Sequence, residues 1–246
     1  MNSTADLHPP ADHTPYRWTG AGGPFTLLLS PEVFTPSSTS RVLADTIRVA
    51  PGDTALDLGC GCGVLSFAAL NLGAGRVIGS DISTASIRCA LDNADRLGVT
   101  DRAEFRIGHL LDAVRDERAD VIIADVSGVP DALAAATGWF PDGRGGGPSG
   151  AELPSAMLSG IDELLTPTGR VYLPTATLQA EEAVLDAAHA VFGDRMSEVA
   201  RREFPLPQSV TDAPEVAKLV DTGMLQLTRR GSRLTWRLSV WECRRQ

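Results

Sequence analysis

At 246 residues the chain has room for one large α/β domain, alone or with a small appendage. Hydrophobic residues at 43% and charged residues at 22% are the balance of an ordinary soluble globular protein. A net charge of −9, with Lys218 the single lysine, argues against a nucleic-acid substrate, whose phosphates need a basic face. No apolar run is long enough to span a bilayer, and no basic segment followed by an apolar one marks a secretion signal. Cys60, Cys62, Cys89 and Cys243 show neither a disulfide framework nor zinc-like spacing. A cytoplasmic location and no metal are therefore expected.

Residues 1 to about 22 are rich in Pro, His, Asp and Gly and read as a poorly ordered arm, with Tyr16 and Trp18 as candidate lid residues. The arm extends to residue 32, with a short apolar strand at Phe25–Leu29, and a single domain is expected over 33–246. An amphipathic helix through Val42, Leu43 and Ile47 follows, with Ser37 or Ser38 as N-cap. The chain then alternates: strand 54–58, helix 64–73, strand 76–81, helix 84–98, strand 103–107, a short helix near 110–115, strand 120–125 and a helix near 131–137. Loop 138–150, helix 151–165, strand 170–174 and helix 178–191 complete the pattern of right-handed βαβ units and a mostly parallel sheet. Val121-Ile122-Ile123-Ala124 is apolar without alternation, as a central strand covered on both faces requires. A strand at 196–204, a helix at 214–220 and two strands about the turn Arg230-Gly231-Ser232 end the chain; Leu234, Trp236, Leu238 and Val240 alternate with polar residues.

The chemistry-bearing stretch is Asp57-Leu58-Gly59-Cys60-Gly61-Cys62-Gly63. It carries a strand into a glycine turn and then a helix, whose unpaired N–H groups suit a negatively charged or carbonyl-bearing ligand. Val64 stands where a dinucleotide fingerprint wants Gly or Ala, which weakens a nicotinamide reading. Asp81 ends the next strand 22 residues after Gly59, an offset that lets an acid accept both ribose hydroxyls of an adenosine.

These residues together resemble the cofactor site of class I S-adenosylmethionine-dependent methyltransferases. The resemblance implies a Rossmann-like, doubly wound, seven-stranded sheet of order 3-2-1-4-5-7-6 with a C-terminal antiparallel hairpin, and S-adenosylmethionine as cofactor. Leu72-Gly73-Ala74-Gly75-Arg76-Val77-Ile78-Gly79-Ser80-Asp81, with Asp92-Asn93-Ala94, is similar to methyltransferases of ribosomal proteins. Val33-Phe34-Thr35-Pro36 and Gly146-Gly147-Pro148-Ser149-Gly150 are similar to the glutamine methyltransferases of release factors. That second group carries Asn-Pro-Pro-Tyr after the fourth strand, where this chain reads Asp125-Val126-Ser127-Gly128.

By that resemblance Asp57, Gly59, Cys60, Gly61, Asp81, Ile82, His109, Leu110, Asp125 and Ser40 are expected at the cofactor. Phe34, Val126, Trp139 and Phe140 are expected at the substrate, and Asp125 is the expected catalytic group. A carboxylate there holds or deprotonates an amine but cannot donate to an amide. The glycine run 143–150 reads as a lid hinge or an ordinary surface loop. Only about 50 residues precede the first strand, so a small-molecule acceptor on nitrogen or oxygen, in a setting such as secondary metabolism, is the expectation, with no nucleic acid and no membrane. A protein methyltransferase and a non-catalytic S-adenosylmethionine-binding module are the alternatives, and a nicotinamide dehydrogenase is a distant fourth.

Overall fold

The computed structural model describes residues 12–245. Two strands, β1 (Thr14–Trp18) and β2 (Phe25–Leu29), form an antiparallel hairpin ahead of helix α1 (Ser38–Thr46). Then follow β3 (Thr54–Leu58), α2 (Val64–Leu72), β4 (Arg76–Asp81), α3 (Thr84–Leu97), β5 (Ala103–Ile107) and β6 (Ala119–Ala124). Further on come α4 (Asp131–Thr137), α5 (Glu152–Leu158), β7 (Leu165–Ala176) and α6 (Glu181–Phe192). The C-terminal part holds β8 (Met196–Pro205), the short helices α7 (Gln208–Thr211) and α8 (Pro214–Asp221), β9 (Thr228–Arg230) and β10 (Arg233–Arg244).

The main sheet runs β5-β4-β3-β6-β7-β10-β8, with β9 paired to β10. Numbered along the chain from β3 and leaving out β9, that is the expected 3-2-1-4-5-7-6. The pairs β3–β4, β3–β6, β4–β5 and β6–β7 are parallel, and β10 is antiparallel to all three of its neighbours. Alternate residues of the central strands feed two apolar layers. Ala55, Val121 and Ile123 meet α1, α2, α3 and the hairpin, whereas Leu56, Leu58, Ile122 and Ala124 meet α5 and α6. The short helix expected near 110–115 is a single 3-10 turn, Asp112–Val114, and helix 151–165 breaks at Ser159 into α5 and a 3-10 turn, Ile161–Leu164. A third apolar cluster joins Leu133 of α4 and Leu178 to Val210, Val216 and Leu219 of α7 and α8, over the carboxyl side of β7.

The expected disordered arm is corrected from Thr14 onward; residues 1–11 lie outside the described residues. Trp18 is wholly buried and stacks on Phe25, which meets Phe67 of α2 edge-on, while the Arg41 guanidinium lies 5.4 Å above the Trp18 ring. Asn93 of α3 holds the hairpin edge: its Oδ1 accepts from Leu28 N at 2.8 Å and its Nδ2 donates to Leu28 O at 3.1 Å. The same Nδ2 reaches Cys62 O at 3.4 Å, so one buried amide ties the hairpin to the glycine turn. The hairpin shares its core with the sheet, and no boundary separates residues 12–32 from the rest of the domain. Trp18 is therefore a core residue, not a lid. Trp18→Ala should cost about 3–5 kcal/mol, the usual scale for emptying a buried large aromatic, and show in thermal denaturation rather than in an acceptor Michaelis constant.

Candidate cofactor and acceptor site

The site lies at the carboxyl ends of the parallel strands, where an open α/β sheet binds ligands. Asp57, in the middle strand, is buried; its Oδ2 accepts from Ser66 Oγ at 2.6 Å, and its Oδ1 has no partner among the described residues. Removal from water pushes its carboxyl up to about 6 against the lowering hydrogen bond from Ser66. Beyond it the turn is pinned by Gly59 N and Cys60 N, which donate to Ser80 O at 2.8 and 3.0 Å. Gly59 has φ +78°, and a Cβ there would lie 2.8 Å from Asp125 O, so only glycine lets the turn seat against the end of β6. Gly61 has φ +52°, and a Cβ there would meet nothing within 4 Å. That open face suits a ligand.

Asp81 ends β4. Its Oδ2 accepts from Gly61 N at 2.9 Å and its Oδ1 from Ser83 N at 2.8 Å, while partial burial raises its carboxyl above the usual range. Beside it Ile82 is 62% exposed, a bare apolar side chain where an adenine face would rest. Gly108 N donates to Asp81 O, bringing the corner after β5 to the same acid. In that corner His109 is exposed, and Leu110 has φ +50°, the one positive φ among described residues other than glycine. Such strained backbone gathers at ligand sites.

Asp125 lies one residue past β6 and is partly exposed. Desolvation, and then the neighbouring Asp57 charge, push its carboxyl up to about 7. It does not cap α4, which starts at Asp131 behind Pro130, and its carboxylate takes no hydrogen bond among the described residues. Phe34 and Phe140 stack with ring centroids 4.9 Å apart, joining the segment before α1 to the loop after α4. Val126 is partly exposed and touches the turn at Gly59.

Other expected residues lie elsewhere. Trp139 packs against the α7–α8 cluster. Ser40 is buried in a capping box, its Oγ accepting from Ser37 N at 3.4 Å. Cys60 is buried, as is Cys62, under the turn. The glycine run is a brace rather than a hinge: Gly146 N donates to Val129 O at 2.7 Å, and Gly145 N and Gly147 N to Asp131 Oδ1 at 2.9 and 3.3 Å. Sequence reasoning missed Ser66, the partner of Asp57, and Gln179, which lies just past β7 at the same edge of the sheet. A rule that inspects the residues just beyond each parallel strand would have found Gln179.

The residues fit S-adenosylmethionine. Asp57, Asp81 and Asp125, the first with an unpartnered buried oxygen, suit a ligand whose sulfonium and ammonium outweigh its one carboxylate, and the open face at Gly61 leaves room for its amino-acid end. The fold is that of class I S-adenosylmethionine-dependent methyltransferases. Residues 40–130 match the family model described as "Ribosomal protein L11 methyltransferase (PrmA)". The ribosomal protein L11 methyltransferase of Aeromonas hydrophila is 46% identical over 79 residues, 32% of this chain and 26% of that protein. The one from Pelotomaculum thermopropionicum is 39% identical over 119 residues, 48% of this chain and 36% of that protein. The match thus spans about a third or less of those relatives' length.

Among solved structures, a ribosomal protein L11 methylase from Lactobacillus delbrueckii subsp. bulgaricus superposes with a TM-score of 0.51 at 20% identity, over 88% of this chain and 84% of that one. The structure of SMU.776, complexed with S-adenosylhomocysteine, gives 0.57 at 13% identity, over 96% of this chain and 57% of that one. These likenesses show the fold. The relatives' names correct one expectation: they specify a ribosomal protein as acceptor, against a small molecule with no nucleic acid among the partners. Among the described residues no helix is long and apolar enough to cross a membrane.

Proposed function

We propose that this chain transfers a methyl group from S-adenosylmethionine to an amine nitrogen of a ribosomal protein, with ribosomal protein L11 the first candidate. The observation that carries the reading is the likeness to L11 methyltransferases across the cofactor half, joined to a carboxylate, Asp125, at the acceptor edge. When bound, the cofactor supplies an already activated methyl, so placement in line with the nucleophile is the protein's main task.

In this reading Asp57, Gly59 and Gly61 hold the amino-acid end, and Asp81 holds the ribose. Ile82 and the His109–Leu110 corner flank the base. Asp125 accepts an N–H of the incoming amine and takes its proton, which a neutral nitrogen must shed as it gains the methyl. Val126 with the stacked Phe34 and Phe140 walls the acceptor channel. The domain comprises the hairpin, the sheet and the α7–α8 insertion as one unit.

The test is transfer of labelled methyl from S-adenosylmethionine to recombinant ribosomal protein L11 and to whole ribosomal subunits. Label on L11 is the expected result. Cofactor binding in the micromolar range or tighter, with no label on any ribosomal protein, would instead leave a non-catalytic binding module.

A further inference from the structure

The turn after β7 carries a buried polar side chain with an unpartnered nitrogen. Gln179 is 4% exposed, and its amide lies against the backbone of Gly128, where a Cβ would come within 2.3 Å of Gln179 Oε1. Gln179 Nε2 is buried and has no hydrogen-bond partner among the described residues. The same is true of Ser127 Oγ, beside Gly128 in the chain. Because β6 and β7 are parallel neighbours, the loop after one and the turn after the other meet at the same sheet edge, within a few residues of Asp125.

Most neighbouring polar groups are paired. Thr175 Oγ1 donates to Glu181 Oε1 at 2.8 Å, Glu181 pairs with Arg237, and Thr177 Oγ1 accepts from Arg237 N at 2.9 Å, although Arg237 Nε is also unpartnered. A buried amide or hydroxyl left unpaired costs about 1–3 kcal/mol, and an apolar side chain of similar size would avoid that cost. Two such groups flanking one glycine beside the expected acceptor point to a ligand that satisfies them.

We propose that Gln179 and Ser127 grip a main-chain peptide group of the acceptor polypeptide and so set its amine against Asp125. The inference rests on the methyl-transfer reading above. A side-chain amide carries one acceptor and two donors in a plane, the complement of a peptide group, which also offers a donor and an acceptor. A hydroxyl beside it supplies a further bond of either sense. Gly128, lacking a side chain, lets the amide oxygen approach the strand-end backbone and leaves the nitrogen on the far side.

Gln179→Leu and Ser127→Ala test this with two probes, Nα-acetyl-lysine N-methylamide, which has peptide groups on both sides, and n-butylamine, which has none. In the wild-type complex with S-adenosylhomocysteine, the Gln179 side-chain amide resonance should shift on adding the lysine probe and not on adding n-butylamine. With L11 as acceptor, each variant should raise the Michaelis constant by about tenfold, the size expected for losing one or two hydrogen bonds, while the dissociation constant for S-adenosylhomocysteine stays put. The melting temperature of Gln179→Leu should hold or rise, because an unpaired buried amide has been removed. An unmoved Gln179 resonance, equal shifts with both probes, an unchanged Michaelis constant or a clear loss of thermal stability overturns the assignment. Absence of label on L11 with the wild type, by contrast, defeats only the reading of function, and the resonance experiment still decides the pair.

Discussion

Asp125→Asn should leave S-adenosylhomocysteine binding nearly unchanged and hold or raise the melting temperature at neutral pH while cutting turnover by about a hundredfold, the usual scale for loss of a general base. The side chain keeps its size and one acceptor oxygen, and it takes no part in capping α4, so little structural work is lost. What disappears is the ability to accept a proton. A turnover within about threefold of wild type would remove Asp125 from the chemistry. Loss of cofactor affinity by the same factor as turnover would instead make it a cofactor contact.

The pH dependence arises from the same group and its neighbour. The carboxyls of Asp57 and Asp125 titrate near 6 and 7 in the fold, against 3.8 for an unperturbed aspartate. Between those limits the native state holds more protons than the unfolded chain, so stability falls as pH rises through the window. The ligand-free protein should melt higher at about pH 5 than at about pH 8, and Asp125→Asn should flatten part of that slope. Turnover and binding of the net-cationic cofactor should run the other way, growing as the carboxylates ionise. A melting temperature that rises from acid to neutral pH would contradict the desolvation assigned to these two carboxyls.

The parallel half of the fold was legible because each strand there is a short apolar run closed by a turn signal, and β3 and β6 are apolar on both faces. Sheet order came from the family resemblance, not from periodicity. The hairpin was misread because composition outweighed pattern: Pro15 and the Gly20–Pro24 turn look like disorder, whereas alternation in Phe25–Leu29 and the one buried face of Trp18 depend on contacts with α2 and α3. The glycine run misled in the same way. Its flexibility in isolation is removed by a carbonyl and a carboxylate more than a dozen residues away, Val129 O and Asp131 Oδ1. Asp57, Gly59 and Asp81 could be read because the turn brings them together locally. The place of Gln179 just past β7 was open to reading, but its approach to Gly128 was not, since Gly128 is 51 residues away in sequence and meets it only when β6 and β7 lie side by side.

Asp81→Ala should weaken binding of S-adenosylhomocysteine by about 1.5–3 kcal/mol, through loss of charge-assisted hydrogen bonds to the ribose hydroxyls. The carboxylate has a second task, because it already holds Gly61 N and Ser83 N. Removing it frees the glycine turn as well as the ribose, so a fall in affinity alone does not separate the two roles. A product analogue lacking both ribose hydroxyls does separate them. Each carboxylate oxygen can accept more than one hydrogen bond, so brace and ribose contact are compatible in the wild type. If Asp81 holds the ribose as well as the turn, the analogue should lose clearly less affinity than S-adenosylhomocysteine on going to Asp81→Ala, and the difference is the coupling energy of the cycle. If Asp81 only braces the turn, both ligands should lose affinity in the variant by the same factor. Calorimetry on the four combinations, with melting temperatures to show that the variant is folded, distinguishes an adenosine-binding acid from a structural one.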